Sequence, residues 1–200
     1  MIRDARRAEI IVSARRLVAK GGLGALTISA LEQRLPFSRG VITHHFKNKR
    51  EIVLAVLTSA VSDIDAPVAP GALAHLSWPE RVHTVLRTKV EGFLKNPEAS
   101  WILIAFWGQV RSDPEAARRA GDLFERYRLE SSALMVSGQY EGVVHDNIEH
   151  EPLAIVLVGT VIGMVVQHLL SEGTIDTTSG VHAATQGIIA YCAQDPKLTT

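Results

Sequence analysis

The sequence predicts an all-α chain in which a small N-terminal three-helix head is joined through a connector to a larger C-terminal helical bundle. Three observations carry that prediction. Apolar residues recur three and four positions apart along almost the whole chain, the spacing that lines one face of a helix. Helix stops cut this pattern at Gly21-Gly22, Pro36, Asn96-Pro97, Asp113-Pro114 and Pro152. No stretch alternates apolar and polar residues convincingly enough to be a half-buried strand, and no repeat or low-complexity tract is present.

The elements follow in order. A first helix carries Ile10, Ala14, Leu17 and Val18 on one face and ends after Lys20 at the glycine pair. A short second helix opens at Thr27 with Ile28, Leu31 and Leu35 as its apolar set. It cannot pass Pro36, which lacks an amide hydrogen and disfavours a helical residue before it. Ser38 caps a third helix that runs to His44 or His45, its hydroxyl suited to accept from a free amide of the first turn. A fourth starts near Asn48, places Ile52, Val53, Val56 and Leu57 on one stripe, and fades in a linker from Pro67 to Gly71. Longer helices follow over residues 78–94, 98–110, 114 to about 140, 153–170 and 181 to about 193.

Two hundred residues suffice for a small domain joined to a larger one with a real core. Lys plus Arg and Asp plus Glu both number 21, but the balance hides a polarity. Residues 1–50 hold eleven basic side chains against Asp4, Glu9 and Glu32, eleven minus three or +8, which leaves −8 for residues 51–200. A basic end on an acidic body points to a polyanion at that end. The single Cys192 excludes a disulfide or Cys-based zinc site within the chain and fits a reducing cytoplasm. The N-terminus is too charged for a secretory signal. Residues 153–170 reach the lower length of a membrane span, yet Gln167, His168 and the lack of flanking basic anchors favour a helix buried between protein surfaces, so no membrane is expected.

Catalysis finds no motif here: there is no Gly-x-Ser-x-Gly elbow, no His-Glu-x-x-His and no phosphate loop, so no enzyme, catalytic residue or cofactor is expected. A metal is not expected either. His44 and His45 are adjacent and diverge by about 100° on a helix, and His145, Asp146, Glu149, His150 and Glu151 read as a solvated loop.

The stretch SRGVITHHFKNKR, residues 38–50, crowds two histidines and four basic residues beside a phenylalanine. Two short helices joined by the tight Leu35-Pro36-Phe37 turn, the second bearing Arg39, Thr43 and His44 on its outer side, have the build of a helix-turn-helix. Leu31, Phe37, Ile42 and Phe46 pin the second helix inward, so its polar residues face out. An exposed helix start among Arg and Lys suits phosphate, and the expected partner is double-stranded DNA. A helical module binding an acidic protein, or a helical enzyme, are the alternatives. A duplex sequence preference separates the first and turnover of an ester panel the second.

The order AKGGLGALTISALEQRL, PFSRGVITHHF, KNKREIVLAVL resembles the DNA-binding head of the tetracycline-repressor family of bacterial regulators over about residues 5–57. The resemblance implies that Arg39, Val41 and Thr43 meet base edges, that Thr27, Ser38, His44 and Lys49 meet phosphates, and that Gly40 permits close approach. The chain departs from the family's usual pattern at Glu32, Pro36 and Thr43. Residues 1–50 would form the DNA-binding domain and residues 51–200 a ligand-binding and dimerisation domain. The chain would be a cytoplasmic homodimer, probing a palindromic operator and released by a small molecule, with the fourth helix as lever.

The effector expected from the residues themselves is apolar or amphipathic, and neutral or anionic, because acidic residues are scarce in the apolar runs. Its expected lining is Trp101, Phe106, Trp107, Phe124, Tyr127 and Met164, with Gln109, Gln167 and His168 as polar contacts. Residues 153–170 are apolar almost all round, and Gly159 and Gly163 clear a strip where another helix can come close. With Val181, Ala184, Thr185, Ile188 and Ile189 of the last helix they predict a four-helix contact between two copies.

Overall fold

The computed structural model describes residues 2–65, 71–108 and 113–193. These form α1 (Ile2–Ala25), α2 (Ile28–Glu32), α3 (Arg39–His45), α4 (Lys49–Ile64), α5 (Trp78–Lys95), α6 (Pro97–Trp107), α7 (Pro114–Tyr140), α8 (His150–Leu170) and α9 (Thr177–Cys192). Among the described residues there is no strand, only an isolated antiparallel bridge between Val144 and Ala193. Residues 67–70 of the predicted linker and the predicted end of α6 at residue 110 lie outside the described residues.

The chain divides into two compact units: Met1–Asp65 with Asn96–Leu123, and Ala66–Lys95 with Phe124–Thr200. In the first, α1 packs on α4 and α6, and α4 packs on α6. Ile10, Ala14, Leu17 and Val18 are all buried, as their spacing predicts, together with Leu26, Leu31, Ile42, Phe46, Ile52, Val56 and Leu57. The glycine pair breaks α1 where expected, and a short turn continues beyond it: Gly22 takes φ 68° and ψ −176°, which a side chain would resist. Arg15 ties three helices together, donating to Glu98 Oε1 at 2.9 Å and to Ser59 Oγ at 2.7 Å, with Asp63 Oδ2 at 2.6 Å.

In the second unit, α5 packs on α8 and α9, and α8 packs on α9. Trp78 anchors it. Its indole donates to the Leu134 carbonyl at 2.9 Å, and it lies so near Gly138 that a Cβ there would fall 2.5 Å from Nε1. The helix α9 starts about a turn earlier than the apolar pattern predicts, because the Asp176 carboxylate accepts from the amides of Thr178 and Ser179 at 2.9 and 3.2 Å. The α8 helix is long and apolar enough by length and composition to cross a membrane, with mean hydropathy 2.3. One stripe, Leu153, Ala154, Leu157, Val161 and Val165, is buried, while Ile155, Val156 and Leu170 are exposed by more than half.

Candidate nucleic-acid interface and ligand cavity

The helix-turn-helix is fixed from below by Leu31, Ile42 and Phe46, each at most 1% exposed. Two arginines of α1 lie over its aromatics, Arg7 at 4.3 Å from the Phe46 ring centre and Arg6 at 5.8 Å from that of Phe37. Truncating Phe46 to alanine is expected to destabilise the first unit by about 3–5 kcal/mol, read as a lower urea midpoint with the slope unchanged. Loss of less than about 1 kcal/mol would mean that Phe46 is not the pin of α3.

On the other side of α3 the side chains are open. Arg39, Gly40, Thr43 and His44 are exposed, and Val41 is half-buried. Thr27 caps α2 by accepting from the Ala30 amide at 3.0 Å. Ser38 stands in extended backbone at the start of α3 but makes no capping hydrogen bond, so its hydroxyl remains available to a ligand. Thr43 spends its hydroxyl proton within the helix, donating to the carbonyls of Arg39 and Gly40 at 3.0 and 3.2 Å, and its side chain is exposed. The two histidine rings meet edge to face, centres 5.4 Å apart.

The start of α4 is built as a reciprocal cap. Asn48 accepts from the Glu51 amide at 3.0 Å, and Glu51 accepts from the Lys47 amide at 2.8 Å, so Lys47, Lys49 and Arg50 are held on an exposed first turn. Arg50 is already engaged: its guanidinium donates two hydrogen bonds to Asp113, at 3.0 and 2.9 Å. That pairing, with amides of Ala116 and Glu115, holds the Asp113 carboxyl well below the usual carboxylate range. Glu115 is lowered to about 2 by Arg118 and then Arg119. Both carboxylates therefore stay charged below the ordinary carboxylate pKa, and their contribution, full above that pKa, is lost as pH falls from it through their lowered values.

The predicted effector residues are divided between the two units. Trp101, Phe106 and Trp107 belong to the first unit, where the apolar face of α6 is used in packing on α1 and α4. Gln109 lies outside the described residues. Met164 packs near Gly180 of α9, Gln167 donates to the Gly163 carbonyl at 3.1 Å, and His168 bonds the Ile175 carbonyl at 2.8 Å. Phe124 is half-buried, while Tyr127 is buried edge to face with Phe93 at 6.3 Å.

Of the predicted set, Tyr127 is the member that lines the internal slot of the second unit, with Val82, Leu86, Lys89, Glu130, Ser131, Leu134, Leu157 and Val161. The slot holds about 20 Å3, room for roughly one water. It shares Val85, Glu130 and Leu134 with an outer groove of about 350 Å3 that also touches Leu73, Arg81, Ala133 and Ser137. A larger hollow of about 640 Å3 lies in the first unit, but it is open to solvent and edged by Arg7, Glu51, Asp63 and Arg119, unlike an apolar effector site. Lys89 and Glu130 escaped the sequence reading, for a lysine and a glutamate at helical spacing look like solvated surface.

The predicted interface residues also separate. Val181, Thr185 and Ile188 are buried within their own chain and are not available to a second copy, whereas Gly159 is open and Gly163, Ala184 and Ile189 are half-buried. Ile155, Val156, Leu170 and Tyr191, which the sequence reading did not single out, are exposed instead. Among the described residues, no group of three or more His, Cys, Asp or Glu is placed to hold a metal. His150 is engaged with Gln139 at 2.5 Å. Burial raises the Cys192 thiol to about 11.

Residues 10–56 match the family of bacterial regulatory proteins described as tetR, and residues 79–193 match the C-terminal part of BetI-type transcriptional repressors. The transcriptional regulator BetI of Burkholderia thailandensis is 25% identical over 118 residues, 58% of this chain and 60% of that protein. The repressor AcnR of Corynebacterium diphtheriae is 36% identical over 91 residues, 43% of this chain and 47% of that one. The matched segments thus span about half to three-fifths of those relatives. A transcriptional regulator of Saccharomonospora viridis solved with choline aligns with TM-score 0.79 at 21% identity, covering 96% of this chain and all of that one. FadR of Bacillus subtilis solved with stearoyl-CoA aligns with TM-score 0.67 at 14% identity, covering 92% and 98%. With an exposed recognition helix held on a pinned three-helix head and a family match reaching from residue 10 to residue 193, the chain belongs to the TetR family of bacterial regulatory proteins.

Proposed function

We propose that the protein is a cytoplasmic, homodimeric transcriptional repressor that releases a near-palindromic operator when a small apolar or amphipathic molecule binds its C-terminal bundle. It is not an enzyme in this reading. The observation that carries it is α3: Ile42 buries one side while Arg39, Gly40, Thr43 and His44 lie open beside Lys47 and Lys49. Functionally, residues 1–50 read DNA and residues 51–200 bind the effector and the second copy. Arg39, Val41 and Thr43 take base edges, and Thr27, Ser38, His44 and Lys49 take phosphates. The choline and stearoyl-CoA in structures of the same fold support a small-molecule effector.

The dimer face in this proposal is the open side of α8, Ile155, Val156, Gly159 and Gly163, with Ala184 and Ile189 of α9. Covering it explains why a helix of this hydropathy presents large apolar side chains outward.

The route of the signal follows α7. Its 27 residues begin in the first unit, where Asp113 grips Arg50 beside the phosphate-binding Lys49, and continue to Tyr127, Glu130, Ser131 and Leu134 of the slot. Measuring duplex affinity with and without effector tests the reading. Arg50→Ala should retain DNA binding within a few-fold but cut the effector-induced loss of affinity by roughly threefold or more. Unchanged release in Arg50→Ala would remove this link from the route, and DNA affinity indifferent to effectors that bind the bundle would remove the regulation.

A further inference from the structure

We propose that the slot between α5, α7 and α8 is a receptor for an organic anion with an apolar stem, a carboxylate above all, whose head pairs with Lys89 in place of Glu130. This rests on the effector-responsive reading above and names the chemistry of its ligand. Lys89 is the observation. A lysine side chain only 7% exposed is rare, because an ammonium loses much of its hydration on burial. Its Nζ lies 2.7 Å from Glu130 Oε2 and 4.3 Å from the Tyr127 ring centre. That ion pair engages at most one of the ammonium's three donors, and among the described residues no further hydrogen-bond acceptor serves the buried nitrogen.

The two partners of this ion pair are unequal. Glu130 is 41% exposed, so it can swing into water at small cost, whereas Lys89 cannot leave without abandoning its buried stem. An incoming carboxylate therefore replaces a partner that water can receive. Ser131, buried on the same lining, adds a hydroxyl beside the head.

A cation meets the opposite situation. The aromatic face of Tyr127 and the carboxylate of Glu130 are already occupied by the protein's own ammonium, so a second positive charge would be placed beside Lys89 in a nearly dry slot. The stem has a path outward. Val85 and Leu134 line both the slot and the outer groove of about 350 Å3. Residues 81, 85 and 89 follow one another at four-residue intervals on one stripe of α5, so Arg81 marks the far end about 12 Å from Lys89. The slot holds only about 20 Å3 as it stands, so binding must part α5 from α7, and that movement is what α7 can transmit.

The test uses three probes with one stem: octanoate, octan-1-ol and octylammonium, titrated into the full chain by calorimetry and into its complex with duplex DNA. Octanoate is expected to bind most tightly and to release DNA. Lys89→Met should weaken octanoate by about tenfold or more while leaving octanol within about twofold, and Lys89→Arg should restore most of the loss. Glu130→Gln, which removes the competing carboxylate, should tighten octanoate several-fold. Circular dichroism of each variant establishes that it is folded. Octylammonium binding as tightly as octanoate, or a folded Lys89→Met that binds octanoate unchanged, would overturn the assignment. If octanol or octylammonium binds and releases DNA while octanoate does not, effector control stands and the anion class falls. If none of the three binds, the slot is plain core and the assignment falls.

Discussion

Gly159→Leu is expected to turn the proposed dimer into a monomer that remains folded, and thereby to abolish operator binding. In the single chain a Cβ at position 159 meets nothing within 4 Å, and the position is exposed, so the larger side chain has room. Replacing glycine within a helix also removes a propensity penalty of about 1 kcal/mol, so the isolated chain should lose no stability. At the proposed two-fold contact the substitution acts twice, once from each copy. Overpacking of about 1–3 kcal/mol per copy is enough to shift a micromolar dimer largely to monomer. Two recognition helices on separate monomers no longer gain from a shared site, so affinity for a two-half-site duplex should fall by orders of magnitude with the head unaltered. Sedimentation velocity checks the first step and duplex titration the second. A Gly159→Leu chain that sediments as the parent dimer would place the interface elsewhere on the molecule.

Arg39→Ala and Lys49→Ala are expected to damage DNA binding in different ways. Arg39 stands exposed on the first turn of α3, where a fork of donors can meet a guanine edge, so its loss should cost about 1–3 kcal/mol on the cognate duplex and relax preference at particular bases. Lys49 stands exposed at the start of α4, the place proposed for a phosphate contact. Its loss should weaken cognate and random duplex alike and reduce the slope of affinity against salt by about one. Anisotropy titrations of both duplexes over a salt series separate the two. Equal losses on cognate and random duplex for both variants would show that Arg39 does not read sequence.

The helix plan was legible because its punctuation is local. Gly21-Gly22, Pro36, Pro97, Pro114 and Pro152 each act within a residue or two of themselves, and the observed boundaries fall close to them. The start of α9 was missed for a related reason: the apolar pattern begins at Val181, while the cap that starts the helix is the polar run from Asp176. The recognition helix was legible too, since its inward residues Ile42 and Phe46 alternate with outward Arg39 and Thr43 at helical spacing.

The bundle was less legible, because periodicity tells which face of a helix is buried but not what buries it. Trp101, Phe106 and Trp107 read as cavity aromatics, yet α6 packs with α1 and α4. Val181, Thr185 and Ile188 share the pattern of an interface, but α9 uses that stripe on its own chain, and small residues on its other side are indistinguishable from solvated surface in sequence. Lys89 is the sharpest case. Nothing in the local string distinguishes it from Arg87 or Lys95, and only the packing of α5 in its unit leaves Lys89 buried and those two in water.

The most direct test of the central claim is selection from a pool of random duplexes by the full-length chain. A dimer that positions two α3 helices by a symmetric contact should enrich one inverted repeat, with half-site centres about 10 base pairs apart or a multiple of that spacing. Enrichment of no sequence at all, or of a single unrepeated half-site bound by one chain, would contradict it.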